Sequence, residues 1–261
     1  MDLRRKWRIA VVILVILAGI MVIAWISVQW EQNTRNSERH DVTYTIMLSV
    51  NTTIENVTLY LPVPELNGTP VLAGPFVNRT GYGVPEDWNI TIISVEGRPM
   101  LSIRAPRMVP GYVGYPIPVE PGKTPDRTPV PPATAFSPET PVLVPVELIT
   151  MESRPLAIDT GNPAGHEPVF SPRGGYTPVH TNGPVVQGTV SSYRVPLYIS
   201  YAAGRPTEIS LHTSIEGVNA IWKGGWIFNR YSDTVSLVLE NGTRGWVETG
   251  GTLVAGEGVS W

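Results

Sequence analysis

Ile9 to Val28 is a run of twenty residues without a charged side chain, and it follows directly on Arg4, Arg5, Lys6 and Arg8. No other stretch restricts the chain so tightly. Lipid offers no hydrogen bonds, so a segment crossing it alone must satisfy its own backbone groups and be a helix. At a helical rise of about 1.5 Å per residue the run is about 30 Å long, matching the hydrocarbon layer of a bilayer. Trp7 stands at one end and Trp25 and Trp30 at the other. Tryptophan favours both membrane interfaces, because its ring is apolar and its N–H seeks water. Basic residues gather on the cytoplasmic side of a span, so the N-terminus is expected in the cytoplasm and everything after Trp30 outside.

A cleaved signal peptide is the competing reading. Its apolar region is shorter, about 7–15 residues, and ends in a small-x-small site. Ala24-Trp25-Ile26 does not fit that site. A core helix or a pilin-like helix fits less well, and no small-residue processing site separates the basic cluster from the apolar run. The division that follows is a cytoplasmic basic tail (1–8), a transmembrane helix (9–28), a polar stalk (29–40), an ectodomain (41–255) and a C-terminal tail (256–261).

Composition supports an external location. The chain has no cysteine, which removes disulfides, thiolate catalysis and cysteine-ligated zinc. Residues 1–40 hold six of the 19 Lys/Arg and three of the 22 Asp/Glu, leaving the remainder six charges negative. A mildly acidic body carries no nucleic-acid footprint. Six of the twelve asparagines open an Asn-x-Thr triplet without proline in the middle: Asn51, Asn56, Asn67, Asn78, Asn89 and Asn241. Chance would give about two. The triplet is the N-glycosylation acceptor and has meaning only outside the cytoplasm. Asparagine and threonine also suit turns and the wet face of strands, which accounts for part of the excess. A tethered, cysteine-free domain with so many acceptors is a pattern expected on an archaeal cell surface.

After the stalk the period becomes two. Val42, Tyr44, Ile46, Leu48 and Val50 share one face, with Thr43, Thr45 and Ser49 opposite. Val57, Leu59 and Leu61 point inward and Asn56, Thr58 and Tyr60 outward. Trp88, Ile90 and Ile92 oppose Asn89 and Thr91, and Met100–Arg104 is expected to pair with 88–95 across Glu96-Gly97-Arg98. The acceptors at 56 and 89 thus fall on the polar face. Twelve prolines lie from Pro106 to Pro145, so this part cannot be central sheet. Residues 106–190 are expected as a Pro/Gly-rich insertion, wrapping the sheets or disordered, with 141–150 having the content of an edge strand. No proline follows Pro206. There, 195–201 and 207–215 alternate. Asn241-Gly242 predicts a type I′ hairpin turn that sets Leu237 opposite Trp246. No segment outside the anchor has a 3.6 period. The expected fold is therefore mainly β: an N-terminal single transmembrane helix followed by an antiparallel β-sandwich ectodomain with a long insertion.

Chemistry is sparser. Leu156-Ala-Ile-Asp159-Thr160-Gly161 resembles the catalytic loop of aspartic proteases, in which two such loops share a proton between neighbouring carboxylates. The triplet occurs once, so the resemblance implies a symmetric dimer using Asp159. Asp-Thr-Gly is also a favourable Asx turn, and Pro155 and Pro163 flank it as they would a loop. His40, His166, His180 and His212 have no metal-motif spacing. Trp222, Trp226, Phe228 and Tyr231 crowd around Gly224-Gly225. They suit either a core hairpin or a surface that stacks on sugars or grips a partner. Trp246 is expected in the core. No cofactor is expected. The partners expected are the bilayer through residues 9–28 and an envelope or membrane protein. The reading is a membrane-anchored extracytoplasmic glycoprotein with a non-catalytic structural or interaction role; the alternatives are a carbohydrate- or small-ligand-binding module built on the 222–231 aromatics and the Asp159 dimer.

Overall fold

The computed structural model describes residues 3–113, 142–179, 188–240 and 244–258. Among the described residues it is mainly β (59% strands), with one N-terminal apolar helix and a curled antiparallel sheet. Helix α1 (Leu3–Asn36) carries the apolar run and continues through most of the expected stalk. Its last turns have their own support: Arg35 reaches Glu31 one turn back at 2.5 Å, and the Ser37 N–H closes on the Asn33 and Thr34 carbonyls. Ser27 donates to the Ile23 carbonyl, so its hydroxyl needs no water.

The strands follow in chain order: β1 (Arg39–Val50), β2 (Ile54–Leu66), β3 (Thr69–Pro70), then a single helical turn α2 (Gly74–Val77), β4 (Asn89–Val95), β5 (Arg98–Met108), β6 (Gly111–Val113), β7 (Val142–Val144), β8 (Val146–Ser153), β9 (Val169–Ser171), β10 (Thr177–Val179), β11 (Thr189–Ala202), β12 (Ile209–Trp222), β13 (Trp226–Leu239) and β14 (Gly245–Gly258). The main ladder runs β4-β5-β2-β11-β14-β13-β12-β1-β8, with β3 and β9 on β2 and β10 on β11. β6 and β7 pair separately.

β1 and β2 are consecutive in sequence, yet four strands stand between them in the ladder. They still meet through the core: the Tyr44 hydroxyl of β1 donates to the Pro62 carbonyl of β2. The Tyr44 ring packs at 5.3 Å from Phe76 and 6.0 Å from Phe170. The sheet has therefore curled until its far strands face each other across one apolar interior. Each fully buried side chain there, Ile46, Leu61 or Phe76 for example, stabilises the fold by roughly 1.5–3 kcal/mol.

The period-two expectations hold for β1, for Val57, Leu59 and Leu61 of β2, and for Val195, Leu197, Ile199 and Tyr201 of β11. The β4–β5 pairing is also as expected. Its turn is Glu96-Gly97, both at positive φ, as are Asn67-Gly68 between β2 and β3. Of the expected edge strand 141–150, β8 (Val146–Ser153) ends the ladder beside β1 and is bridged on its other side at Ile149 by Tyr82, whereas 142–144 pair with β6 instead.

Several expectations change. Ile92 is exposed, because β4 is the outermost strand and the core ends at Ile90. Trp246 is exposed rather than in the core, since it registers with Tyr198 on the outward face of β11. Leu237 does not face Trp246. Val235 faces Gly251, which brings Leu237 level with Thr249. The reason is that β14 is also held on its other side by β11, in register from Thr189 to Ile199. The connection is longer than a two-residue turn, and Asn241-Gly242 lies outside the described residues. Residues 256–258, expected in a tail, complete β14.

Candidate functional site

The expected aromatic surface divides by strand parity. Trp222 and Trp226 are cross-strand partners closing the β12–β13 connection Lys223-Gly224-Gly225. They lie with Phe228 on the outward face, 44%, 50% and 42% exposed. Their rings meet edge to face, centroids 5.7 Å apart and planes at 72°, a pairing worth about 0.5–1.5 kcal/mol. Tyr231 does not belong with them. It stands at an inward position, is fully buried, and donates its hydroxyl to the Pro168 carbonyl at 2.9 Å. The odd–even alternation from Trp226 to Tyr231 is the signal that separates it.

Helix α1 touches this tip. The Trp222 N–H donates to Ser37 Oγ at 2.9 Å. A Cβ placed on Gly224 would lie 4.0 Å from Trp30 Cζ2. The Arg39 guanidinium sits 4.5 Å over the Trp226 ring, a cation–π contact. Sequence spacing gives no hint that residues 30–39 and 222–226 meet.

A second aromatic group lies on the outer sheet face. Tyr60 and Tyr198 stack at 4.8 Å across β2 and β11, and Trp246 approaches Tyr198 at 5.4 Å. A 410 Å³ cleft beside Trp246 is lined by Arg98, Met100, Pro172 and Pro196. A larger cleft of 560 Å³ lies between the Asn67-Gly68 and Gly97-Arg98 turns and the 165–173 segment. Glu65, Glu167, Arg98 and Arg173 line it, so its charges balance.

The five acceptor asparagines among the described residues, Asn51, Asn56, Asn67, Asn78 and Asn89, are all exposed. Asn56 has φ +52° where the β2–β11 register slips by one residue, a bulge that asparagine tolerates better than most residues. Thr58 and Asn89 both register with Arg104, which puts Asn56 and Asn89 on the same side of the sheet. Asn241 is outside the described residues.

The Asp159 loop is a strap across the strand ends. Asn219, buried in β12, accepts from the Ile158 N–H and donates to the Ile158 carbonyl, both at 2.9 Å. The Gly256 N–H donates to the Thr160 carbonyl. One Asp159 oxygen accepts from the Asn162 N–H and the other pairs with His166, both at 2.9 Å. His166 accordingly holds the carboxyl below its usual pKa. A proton-sharing dyad requires the opposite shift on one carboxyl. Of the other histidines, His40 bonds Asn219, His212 bonds Ser236, and His180 lies outside the described residues. Among the described residues no group of three or more His, Asp or Glu is placed to hold a metal ion.

One polar cluster has no motif to announce it. Asp233 is fully buried in β13, accepting from the Phe170 N–H at 2.8 Å and from the Tyr193 hydroxyl. Burial pushes its pKa up to about 6. The same burial, with the Asp233 charge nearby, pushes Tyr176 up to about 12 and raises Tyr193 further. Tyr193 and Tyr231 each lie over a cross-strand glycine, Gly251 and Gly217. Any Cβ at those glycines would fall 2.3 Å and 2.2 Å from the rings. The one sequence signal for Asp233 is its position, a lone carboxylate in step with Tyr231 and Val235 on the inward side.

No protein-family model, no curated protein and no solved structure matches this chain. Function is therefore argued from these sites alone.

Proposed function

We propose that this chain is a single-pass membrane glycoprotein, N-terminus in the cytoplasm, whose extracytoplasmic β-sandwich has a non-catalytic structural or interaction role at the cell envelope. The two facing ends of the curled sheet are the sandwich layers, and residues 106–190 are the Pro/Gly-rich insertion, whose described part adds β8, β9 and β10 to the sheet. The observation that carries the reading is the condition of α1. Among the described residues, none of its apolar stretch from Val12 on is buried against the rest of the protein, and a bilayer is the surrounding that would take those side chains out of water. Exposure of the acceptor asparagines supports the external side. The polar groups that invite a chemical role have positional work instead. Asp233 and Asn219 hold loops against the sheet, and both Asp159 oxygens are engaged within their own loop.

A ligand-binding reading of Trp222, Trp226 and Phe228 draws support from their exposure. It draws none from their geometry, because rings at 72° offer no flat shelf for a sugar.

Mass spectrometry of the protein purified gently from its native membrane tests the proposal. The expected result is an intact N-terminal segment, glycopeptides covering Asn51 to Asn89 and a stoichiometric membrane or envelope partner. A mature N-terminus beyond Val28, bare acceptors and no partner would overturn it.

A further inference from the structure

We infer that the β12–β13 tip is a second membrane contact: the Lys223-Gly224-Gly225 turn enters the headgroup layer beside the helix and the Trp222 and Trp226 indoles at its base reach down to it, so that the ectodomain stands on the bilayer surface. The inference rests on the proposed anchoring of α1.

The helix itself supplies the ruler. The apolar run ends at Val28, and a headgroup layer of about 5–7 Å lies beyond the hydrocarbon on each side. Trp30 is two residues further, about 3 Å along the axis, and so lies within that layer. Ser37 is seven residues past Trp30, about 10 Å further from the membrane. Trp222 is held at Ser37 through its N–H, whereas Gly224, two residues later, lies against the Trp30 ring. β12 therefore runs back toward the bilayer as it ends, and its turn reaches the level of Trp30.

The side chains there suit that depth. Indole rings favour the interface, and the turn joining Trp222 and Trp226 lies beside Trp30, five residues past Trp25. Together they extend the exposed apolar surface of the span sideways onto the ectodomain. Lys223, exposed at the turn, has an apolar stem and a charged end suited to the phosphate level. Arg39, stacked on Trp226 and shared with Asp41 at 4.0 Å, places a second cation there. Gly224, at φ +80°, lets the connection stay short enough to lie flat beside the helix. Two contacts, one through the span and one through the tip, fix the domain's tilt where a single helix would leave it free to swing.

The absence of cysteine allows single labels. Lys223→Cys, Ser27→Cys and Glu208→Cys in the full-length chain, each carrying an environment-sensitive fluorophore, are placed in nanodiscs of phosphatidylcholine and phosphatidylglycerol. Quenching by lipids brominated at shallow or deep acyl positions reads depth. The expected result is strong quenching at Ser27 by deep bromines, at least twofold quenching at Lys223 by shallow bromines, and none at Glu208. Replacing Trp222 and Trp226 together with alanine should at least halve the Lys223 quenching; unchanged quenching would refute the role given to the rings. Quenching at Ser27 with an unquenched Lys223 overturns the tip contact while leaving the anchor intact, and frees the rings to bind protein or polysaccharide. No quenching at Ser27 overturns the anchor and the inference with it.

Discussion

Replacing Asp233 with asparagine isolates one buried carboxyl. The folded protein holds this group inside the sheet with two hydrogen bonds, and burial raises its pKa from 3.8 to about 6. The folded-state value lies above the unfolded one, so the folded state takes up the proton first. The stability linked to this group is fully present below the unfolded pKa and is lost as pH rises through about 6. A tenfold difference in proton affinity is worth about 1.4 kcal/mol, so the full span from neutral to strongly acid pH is about 3 kcal/mol. Between pH 7 and 4.5 the wild type should gain about 2 kcal/mol relative to Asp233→Asn. Glu257 and Asp159 work the other way, since their partners Arg230 and His166 lower their pKa values. The raw pH curve therefore mixes signs, and the difference between wild type and variant is the quantity to follow. Urea unfolding of the detergent-solubilised full chain, monitored by tryptophan emission at several pH values, gives that difference. An offset that stays constant across the range, or that moves toward the variant on acidification, would refute the account of Asp233 as a charge held in a desolvated site.

Gly217→Ala and Gly251→Ala should each destabilise by about 1–3 kcal/mol or more, because the new methyl meets a tyrosine ring whose hydroxyl is already bonded; Gly250→Ala, with open space around it, is the control in the same unfolding assay. Tyr231→Ala should cost about 3–5 kcal/mol, whereas Trp222→Ala loses an exposed ring pair and should cost no more than about 1.5 kcal/mol; equal costs would contradict the parity division of the aromatics. Arg230 bonds both Glu257 oxygens and one of Glu216 near the surface, so Arg230→Met should cost no more than about 1 kcal/mol, less at high salt. If Asn56 and Asn89 carry sugars, cross-linked partner peptides should map away from Thr58 and Thr91, and a footprint centred on those threonines would contradict glycan cover of that face.

The inward faces of β1, β2 and β11 were readable because a strand half in water must alternate. The same logic misplaced Ile92 and Trp246, because alternation says which residues share a face and not whether that face is covered. Ile92 lies on the outermost strand, and Trp246 takes its side from Tyr198, a neighbour 48 positions earlier in the chain. The hairpin register failed for a related reason. Asn241-Gly242 is a strong local signal, but the unbroken register of β14 on β11 outweighs one turn. The candidate site was legible as residue types and not as a place. Trp222, Trp226 and Phe228 share the outward face and Tyr231 does not, while the contact of the tip with residues 30–39 depends on strand order that no local pattern encodes.

On the proposed topology, strand direction alone arranges the surface. β1 leaves the helix at Arg39 and runs twelve residues to Val50, about 40 Å. Asn51 therefore stands at the far end of the sheet from the membrane, where its side-chain oxygen accepts from the Glu208 N–H as β12 begins its return. β12 then brings Trp222 back to Ser37. Glycans at the start of β2 and rings at the end of β12 would occupy opposite ends of the same ladder. A bulky hydrophilic group at the near end would lift the tip off the lipid, and exposed tryptophans at the far end would have no partner in water. Moving an acceptor to the tip, by Gly225→Asn with Ile227→Thr, separates these demands. Modification at that position requires the tip to be reachable by the glycosylating enzyme. A tip bedded in headgroups should stay bare while Asn51 and Asn56 of the same molecules are modified, and a fully occupied site at residue 225 would count directly against the membrane contact.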